Sequence, residues 1–261
     1  MERRSFMKKS AVAAGAAVAL TPFASVGQTP PAAAKKDIYE LRIYQLTGGG
    51  AKNQLKNYLT GALMPYLNSK GGKVGIFSEY SLEDPPKLYV LCTFPNMQEY
   101  FSIIQEMDTN AKFQADANAY NQLPAGRPLF DRYETLLLEA FDSIPKLRQP
   151  EASRGLLELR IYESYNEDAG RRKILMFDKE ELPLFDKIGL NSVFFGKNIA
   201  GGFMPALTYM LWFRDMAHRN EAWAKFGPHP EWIAMRDKPE YANTVSKVRK
   251  IFLLPEEGSQ I

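Results

Sequence analysis

The chain has 261 residues, of which 45% are hydrophobic and 24% are charged, so its composition excludes a disordered or fibrous protein and allows one large domain or two small ones. The formal net charge is +3. This excess lies within residues 1–27, because the 33 basic and 30 acidic residues become 29 of each once that segment is set aside. The neutral remainder, which has no basic run, gives no electrostatic reason to expect nucleic-acid binding.

Residues 1–27 are typical of an export signal. A basic start is followed by an alanine-rich apolar stretch that is shorter than the roughly 20 residues a membrane anchor needs. The Arg3-Arg4 pair, with Phe6 and Lys8 behind it, resembles the twin-arginine export motif of bacteria. We therefore expect cleavage after residue 27 and an exported protein, periplasmic or extracellular, with no membrane span after cleavage.

A segment near the start recurs far along the chain. Glu-Leu-Arg-Ile-Tyr at 40–44 is repeated at 158–162, an offset of 118 that also pairs Pro65 with Pro183. Matches that keep this register predict a tandem duplication. The predicted organisation is a signal peptide (1–27), a proline- and alanine-rich flexible tether (28–36), a first domain (37–141), a linker (142–155), a second domain (156–255) and a tail (256–261).

Hydrophobic periodicity and turn residues predict the same six elements in each copy. In the first copy these are strands at 38–46, 74–81, 88–94 and 133–141, and helices from about 55 to 67 and from 96 to 120. Pro65 predicts a kink or an irregular last turn in the first of these helices. In the second copy they are strands at 156–162, 191–197, 206–213 and 245–254, and helices at 169–187 and 216–238.

The order β-α-β-β-α-β is the ferredoxin-like arrangement. Such a sheet carries its helices on one face and leaves the other face in need of cover. Two copies in one chain can place their bare faces together. We therefore predict an α+β fold in which tandem ferredoxin-like repeats form a dimeric-α+β-barrel-type arrangement.

The first strand of each copy holds the candidate ligand-binding residues. Side chains alternate along a strand, so Glu40, Arg42 and Tyr44 share one face, which we expect to line the barrel interior, while Leu41 and Ile43 point to the helices. The second copy places three more polar side chains in the same positions: Glu158, Arg160 and Tyr162.

Two interpretations of this polar set remain open. The arginines can hold an anionic or carbonyl-bearing small molecule by bidentate hydrogen bonds, with the tyrosines orienting it. Alternatively, the buried glutamates and arginines pair with each other in a structural network, since buried charges are costly unless paired.

An aromatic-rich region of the second copy adds two candidate residues, Trp212 and His229. With Glu231, His229 can serve in proton transfer or as an axial ligand. It can equally lie at the start of a short helix, with Glu231 near the positive helix end. The single Cys92 lies in an apolar run and is expected to pack as a hydrophobic residue, and no metal-ligand spacing is present.

The chain resembles the NIPSNAP family over about residues 37–255. The resemblance rests on the segment 39–44, its repeat at 157–162, and Trp223 with the Pro-Glu-Trp run at 230–232. The resemblance implies a dimeric α+β-barrel fold. It implies no established reaction, so no catalytic residue follows from it, although the wider barrel superfamily includes cofactor-free monooxygenases and haem-handling enzymes.

Three functional hypotheses follow. The first is an exported protein that binds a small molecule in the barrel interior or associates with itself. The second is an oxygenase-like or haem-associated enzyme using the same cavity, with Arg42 and Arg160 holding substrate and Tyr44, Tyr162 or His229 handling protons. The third is a purely structural or assembly module. The sequence assigns neither a catalytic residue nor a cofactor; the second hypothesis names haem as a possible cofactor.

Overall fold

Eight antiparallel strands close into a barrel in the computed structural model, which describes residues 35–81, 83–151 and 155–261. The predicted signal peptide and tether residues 28–34 lie outside the described residues. The strands are β1 (Ile38–Leu46), β2 (Val74–Glu79), β3 (Lys87–Phe94), β4 (Phe130–Ala140), β5 (Leu156–Glu163), β6 (Asn191–Ala200), β7 (Ala206–Phe213) and β8 (Lys247–Pro255).

Around the barrel the strands follow the order β1-β3-β2-β8-β5-β7-β6-β4, and every neighbouring pair is antiparallel. The four strands of the first half are thus contiguous, as are those of the second half. The β2–β8 and β4–β6 pairs join the two halves. The predicted α+β barrel is confirmed.

Nine helices, counted among the described residues, connect these strands. They are α1 (Gly49–Tyr58), α2 (Met64–Ser69), α3 (Met97–Met107), α4 (Ala111–Asp116), α5 (Asn118–Asn121), α6 (Glu167–Met176), α7 (Leu182–Ile188), α8 (Met216–Phe226) and α9 (Pro230–Arg236). The helix predicted at 96–120 is wrong as a single element. Asn110 begins a new helix instead, because its side-chain oxygen accepts a hydrogen bond from the Phe113 amide.

A five-residue π-helical turn interrupts the first long helix of each half, at Leu59–Leu63 and at Phe177–Glu181. In both cases a proline, Pro65 or Pro183, follows as the second residue of the next helix. Proline has no amide hydrogen to continue the α-helical ladder, so the turn before it widens. The irregularity predicted at Pro65 is therefore confirmed.

Apolar side chains from all eight strands fill the barrel interior. They form one buried cluster with representatives such as Leu41 of β1, Leu91 of β3, Leu159 of β5 and Met210 of β7. Two further clusters lie between the outer face of the sheet and the helices, one in each half. The core is therefore arranged in concentric layers: a solid barrel centre, the sheet, and an outer layer beneath the helices.

Two chain segments cover one end of the barrel. In the linker, Arg148 donates its amide hydrogen to the Val193 carbonyl, and Leu147 packs against the interior cluster. The final residues run along β2, where the Gln260 amide donates to the Val74 carbonyl and the Ile261 side chain is buried in the interior cluster. Residues 256–261 therefore belong to the packed structure.

Candidate functional site

The predicted direction of the polar side chains is wrong. Leu41 and Ile43 belong to the barrel-interior cluster, whereas Tyr44 belongs to the cluster beneath the helices. Strand alternation places Glu40 and Arg42 on the same outer face as Tyr44. The physical reason is that eight strands converge on the interior and exclude water from it. The outer layer, by contrast, brings polar partners from the helices.

The same correction applies to Glu158, Arg160 and Tyr162 of β5. Glu158 is fully buried and accepts hydrogen bonds from Arg219 and Trp223, both on α8, which lies outside the barrel. The predicted set of six residues is therefore divided into two separate sites, one in the outer layer of each half.

The second-half site is a closed hydrogen-bond network. The guanidinium of Arg160 donates from Nε to Glu158 (2.7 Å) and from Nη1 to the hydroxyls of Tyr162 (3.0 Å) and Tyr209 (3.5 Å). The Trp223 ring covers it, with its centroid 3.8 Å from Arg160 Cζ. Every edge of this guanidinium therefore has a partner supplied by the protein itself.

Glu158 is equally well satisfied. It accepts 2.9 Å hydrogen bonds from Arg219 Nε and Trp223 Nε1, in addition to its bond from Arg160. Burial opposes ionisation of this carboxyl, but the hydrogen bonds from Arg219 and the charge of Arg160 outweigh burial and lower its pKa.

A buried ion pair lies beside this network. Lys173 Nζ is 2.6 Å from Glu181 Oε2, and both side chains are almost completely buried. The ammonium group faces the Phe177 ring at 4.3 Å. Burial raises the pKa of Glu181 in spite of its charged partner. Sequence reasoning missed both residues because charged side chains of an amphipathic helix are expected on its solvent-exposed face, whereas these two are buried.

The first-half site is less complete. Arg42 pairs with Glu40 through two hydrogen bonds, from Nε at 2.9 Å and from Nη2 at 2.8 Å. Its hydrogen bonds of regular geometry within the described residues both go to Glu40, and Tyr44, the counterpart of Tyr162, lies close enough to the guanidinium to accept a further one. Burial raises the pKa of Tyr44, and the nearby Arg42 charge opposes that rise.

Several tyrosine rings lie near Arg42. The Tyr133 ring centroid is 5.7 Å from Arg42 Cζ, and Tyr58 stacks on Tyr120 with ring centroids 4.0 Å apart. Burial raises the pKa of Tyr58 to about 12, and Arg42 again opposes the rise, so the tyrosine hydroxyl is within range of the guanidinium charge. Sequence reasoning did not single out these rings, which lie on α1, α5 and β4 and meet only in the fold.

A surface pocket of about 230 Å³ lies against the Tyr58–Tyr120 pair. Its other walls include Gln54 and Asn57 of α1, Asp116 of α4, and Leu123, which follows α5. Neither Arg42 nor Glu40 is among the residues that line this pocket. The barrel interior predicted to hold a ligand is instead filled by its apolar cluster.

Equivalent helix positions explain the difference between the halves. Arg219 and Trp223 are the fourth and eighth residues of α8, and the fourth and eighth residues of α3 are Tyr100 and Ile104. The first half therefore lacks the arginine and the indole N–H that complete the network around Glu158.

The two remaining predicted residues lie apart from both sites. Trp212 points into the barrel interior, where its Nε1 is buried without a hydrogen-bond partner. His229 is the N-cap of α9, and its Nδ1 accepts the amide hydrogen of Glu231 at 3.3 Å. His229 therefore caps α9, with Glu231 in the first turn of that helix, as the second interpretation of this residue predicts.

Cys92 packs in the apolar cluster of the first half, and burial raises the pKa of its thiol to about 12. Across the described ranges, no group of three or more His, Cys, Asp or Glu side chains is placed to hold a metal ion. In that same part of the chain, no helix has both the length and the apolar character needed to cross a bilayer.

The fold defines the class of protein. Proteins of dimeric α+β-barrel architecture have the same layered arrangement. A candidate monooxygenase from Lactobacillus acidophilus superposes with a TM-score of 0.53 at 13% identity, over 84% of this chain and 94% of its own. A second candidate monooxygenase, from Fusobacterium nucleatum, gives 0.53 at 8% identity over 86% and 96%. An anthrone oxidase-like protein gives 0.50 at 7% identity over 86% and 93%.

At these identities the likeness establishes the fold alone. Residues 157–260 match the NIPSNAP family model, which supports the predicted resemblance for the second half of the chain. No curated protein sequence is significantly similar to this chain.

Proposed function

We propose that this chain is a two-copy NIPSNAP-type barrel protein that binds a small molecule bearing an anionic or carbonyl oxygen at Arg42. The family match at residues 157–260 supports NIPSNAP character for the second half. The repeated Glu-Leu-Arg-Ile-Tyr segment and the same order of strands, helices and π-helical turns support extending it to the first half as a duplicated copy.

One observation carries the binding proposal. Arg42 and Arg160 occupy the same position on equivalent strands, yet Arg160 donates hydrogen bonds to Glu158, Tyr162 and Tyr209, whereas Arg42 donates bonds of regular geometry to Glu40 alone among the described residues. The Arg42 side chain is 12% exposed, and a ligand oxygen that accepts from this charged donor would make a hydrogen bond stronger than one between neutral groups.

The second half then has a structural role. Its network of Glu158, Arg160, Arg219 and Trp223 holds α8 against the sheet. The two interpretations of the polar residues then apply to different halves: the ligand site to the first half and the structural ion-pair network to the second. No contact of the described residues specifically supports a catalytic role or haem binding, since His229 serves as a helix cap.

The test compares two matched variants, Arg42→Gln and Arg160→Gln. The probes are 2-naphthoate and 2-naphthamide, and isothermal titration calorimetry measures their affinities for the mature protein. A hydrogen bond from a charged donor contributes about 1.5–3 kcal/mol, so Arg42→Gln is expected to weaken the better probe by about 10- to 100-fold. Arg160→Gln is expected to lower the free energy of unfolding and leave affinity within about threefold.

Binding that survives Arg42→Gln unchanged would exclude the site. Absence of binding by either probe to the wild-type protein would also count against the proposal. Equal losses in both variants would show that the effect comes through the fold and not through Arg42.

We also propose that residues 1–27 direct export by the twin-arginine route, which rests on the Arg3-Arg4 motif alone. Replacing both arginines by lysine keeps the charge and removes the motif. The variant should remain in the cytoplasmic fraction of a bacterial host while the wild-type chain reaches the periplasm; equal export of both would contradict this route.

A further inference from the structure

We propose that two copies of this chain form a symmetric dimer in which their barrels pack end to end, with β4 of each copy facing β8 of the other. The surface involved is the far end of the barrel, opposite the end that the linker and the final residues cover. At the far end β1, β2, β5 and β6 finish and β3, β4, β7 and β8 begin. The proposal is independent of the ligand proposed at Arg42.

Exposed apolar side chains are concentrated at the far end. Single exposed apolar residues are ordinary on a protein surface, whereas a cluster of them indicates an interaction surface. Tyrosine, phenylalanine and methionine are also among the residue types enriched at protein–protein interfaces. Of the ten exposed large apolar or aromatic side chains within the described ranges, six lie at this end: Tyr80, Tyr133, Tyr165, Phe203, Met204 and Val248.

Contacts bring part of this set together. The Ser164 amide donates a 2.8 Å hydrogen bond to the Pro205 carbonyl, which places Tyr165 beside the turn between β6 and β7. Phe203 of that turn lies over the guanidinium of Arg249 on β8, with its ring centroid 3.8 Å from Cζ. The apolar patch therefore extends from the end of β5 across the turn to β8.

The backbone of Phe203 is strained. Its φ of 64° lies in the left-handed region, which is unfavourable for a residue with a side chain. The ring nevertheless remains 37% exposed, so apolar burial within one copy compensates only part of the strain. Backbone strain of this kind is concentrated at functional sites. A partner that covered the ring would supply the apolar contact that a single copy lacks.

Charges at the far end identify the partner as a second copy. The first residues of β4 include the exposed acidic side chains of Asp131 and Glu134, and those of β8 include the exposed basic side chains of Lys247 and Lys250. None of these four side chains belongs to an ion pair within the described residues. One copy therefore presents an acidic strand start and a basic strand start, each of which complements the other.

The arginines of the same two segments already have partners. Arg132 donates a hydrogen bond to the Asp131 carbonyl, and Arg249 donates to Glu163 at 2.5 Å. The free charges of β4 are therefore acidic and those of β8 basic. A membrane surface fits this end less well, because anionic lipid headgroups would repel the acidic side chains of β4.

The strand order makes the complementarity symmetric. β4 and β8 are four positions apart in a barrel of eight strands, so they lie on opposite sides of it. Two barrels can meet end to end about a twofold axis that runs midway between these strands. Each acidic β4 then faces a basic β8 of the partner, and this contact occurs twice in a closed dimer.

The first measurement needs no variant. Sedimentation velocity of the purified wild-type protein between about 1 and 100 µM should show a reversible equilibrium between monomer and dimer. A monomer at every concentration overturns the proposal. Species that continue to grow beyond the dimer overturn the closed twofold arrangement.

Charge reversal then tests the facing strands. The Asp131→Lys, Glu134→Lys variant and the Lys247→Glu, Lys250→Glu variant each place like charges opposite one another, so each alone should dimerise at least about 10-fold more weakly than the wild type. An equimolar mixture of the two variants should recover the dimer, because both contacts are again between opposite charges. Wild-type dimerisation of either variant alone, or a mixture that stays monomeric, overturns the pairing of β4 with β8.

A third comparison tests the apolar patch. Tyr165 is 65% exposed in one copy, so Tyr165→Ala should leave thermal melting unchanged and weaken the dimer by about 10-fold. Phe101→Ala is the matched control, because Phe101 is 57% exposed but lies on α3 in the helical layer; it should change neither property. A dimer weakened by Phe101→Ala and not by Tyr165→Ala would place the interface on the helices and overturn the proposal.

Discussion

Replacing Lys173 by leucine should destabilise the protein strongly, and replacing Glu181 as well should reverse the effect. The two side chains form a 2.6 Å ion pair and are 5% and 3% exposed, so the single substitution leaves a buried carboxylate without its partner. Breaking a buried pair in this way costs about 3–5 kcal/mol. For a chain of this size the unfolding slope is about 2–3 kcal/mol per molar urea, so the urea midpoint should fall by about 1–2.5 M.

The first half supplies the physical reason for the reversal. Leu55 and Leu63 occupy the positions of Lys173 and Glu181, as the seventh residue of the helix and the last residue of the π-helical turn, and both are buried. The Lys173→Leu, Glu181→Leu double variant should therefore lie between unchanged and about 4 kcal/mol more stable than the wild type, as apolar replacements of buried pairs do.

The assay is equilibrium urea unfolding followed by tryptophan fluorescence, since all three tryptophans lie in the second half. The pH dependence provides a second check. In the single variant Glu181, whose pKa burial already raises, loses the charge that opposed the rise. The folded state then binds a proton more tightly than the unfolded state, so stability should increase as pH falls from 7 toward 5.

Two results would refute this reasoning. One is a loss below about 1 kcal/mol for Lys173→Leu, which would mean that water or a rearranged group satisfies Glu181. The other is a double variant as unstable as the single one, which would mean that Lys173 and Glu181 stabilise the fold through contacts beyond their own ion pair. A double variant that retains the pH dependence of the single one would show that Glu181 is not its source.

Three further outcomes are expected. Burial opposes ionisation of Glu256, but hydrogen bonds from Lys52, Lys56 and Ser78 outweigh burial and lower its pKa to about 2, so its stabilising contribution should be lost as pH falls from about 5 toward 2. Glu256→Gln should remove about 1 kcal/mol of that acid dependence in urea titrations, a figure discounted for solvent screening; an unchanged acid profile would contradict the assignment. Ile261→Ala should cost about 2–4 kcal/mol because the side chain is buried at the covered end of the barrel, and a loss under 0.5 kcal/mol would show that this end is not packed. Gly196→Ala should cost about 1–3 kcal/mol by calorimetric melting, since its new Cβ would lie 2.8 Å from Leu138 Cβ at the β4–β6 seam, whereas Gly202→Ala, with open space around it, should melt as the wild type does.

The positions of the strands were predictable from local pattern. β1, predicted at 38–46, is observed at Ile38–Leu46, and β7, predicted at 206–213, is observed at Ala206–Phe213. The β-rich alternating segments and the prolines and glycines between them are local signals, so they survive in the fold. The short helices after α3 were not predictable in this way, because Asn110 fits both a helix interior and a cap.

The direction of the side chains was not predictable. Alternation in β1 separates Leu41 and Ile43 from Glu40, Arg42 and Tyr44, but it does not state which set faces the barrel. In a strand of this barrel both faces are buried, one by the opposite wall and one by helices, so burial alone cannot distinguish them.

The partners of each site also come from distant parts of the chain. Arg219 and Trp223 reach Glu158 from about sixty residues away, and the Tyr58–Tyr120 stack joins α1 to α5. The sequence by itself determined where the polar residues lie on each strand and which segment is repeated, because those properties are local. The packing of helices on the sheet decided which partners surround Arg42 and which surround Arg160, because those partners are side chains that meet only when the barrel has closed.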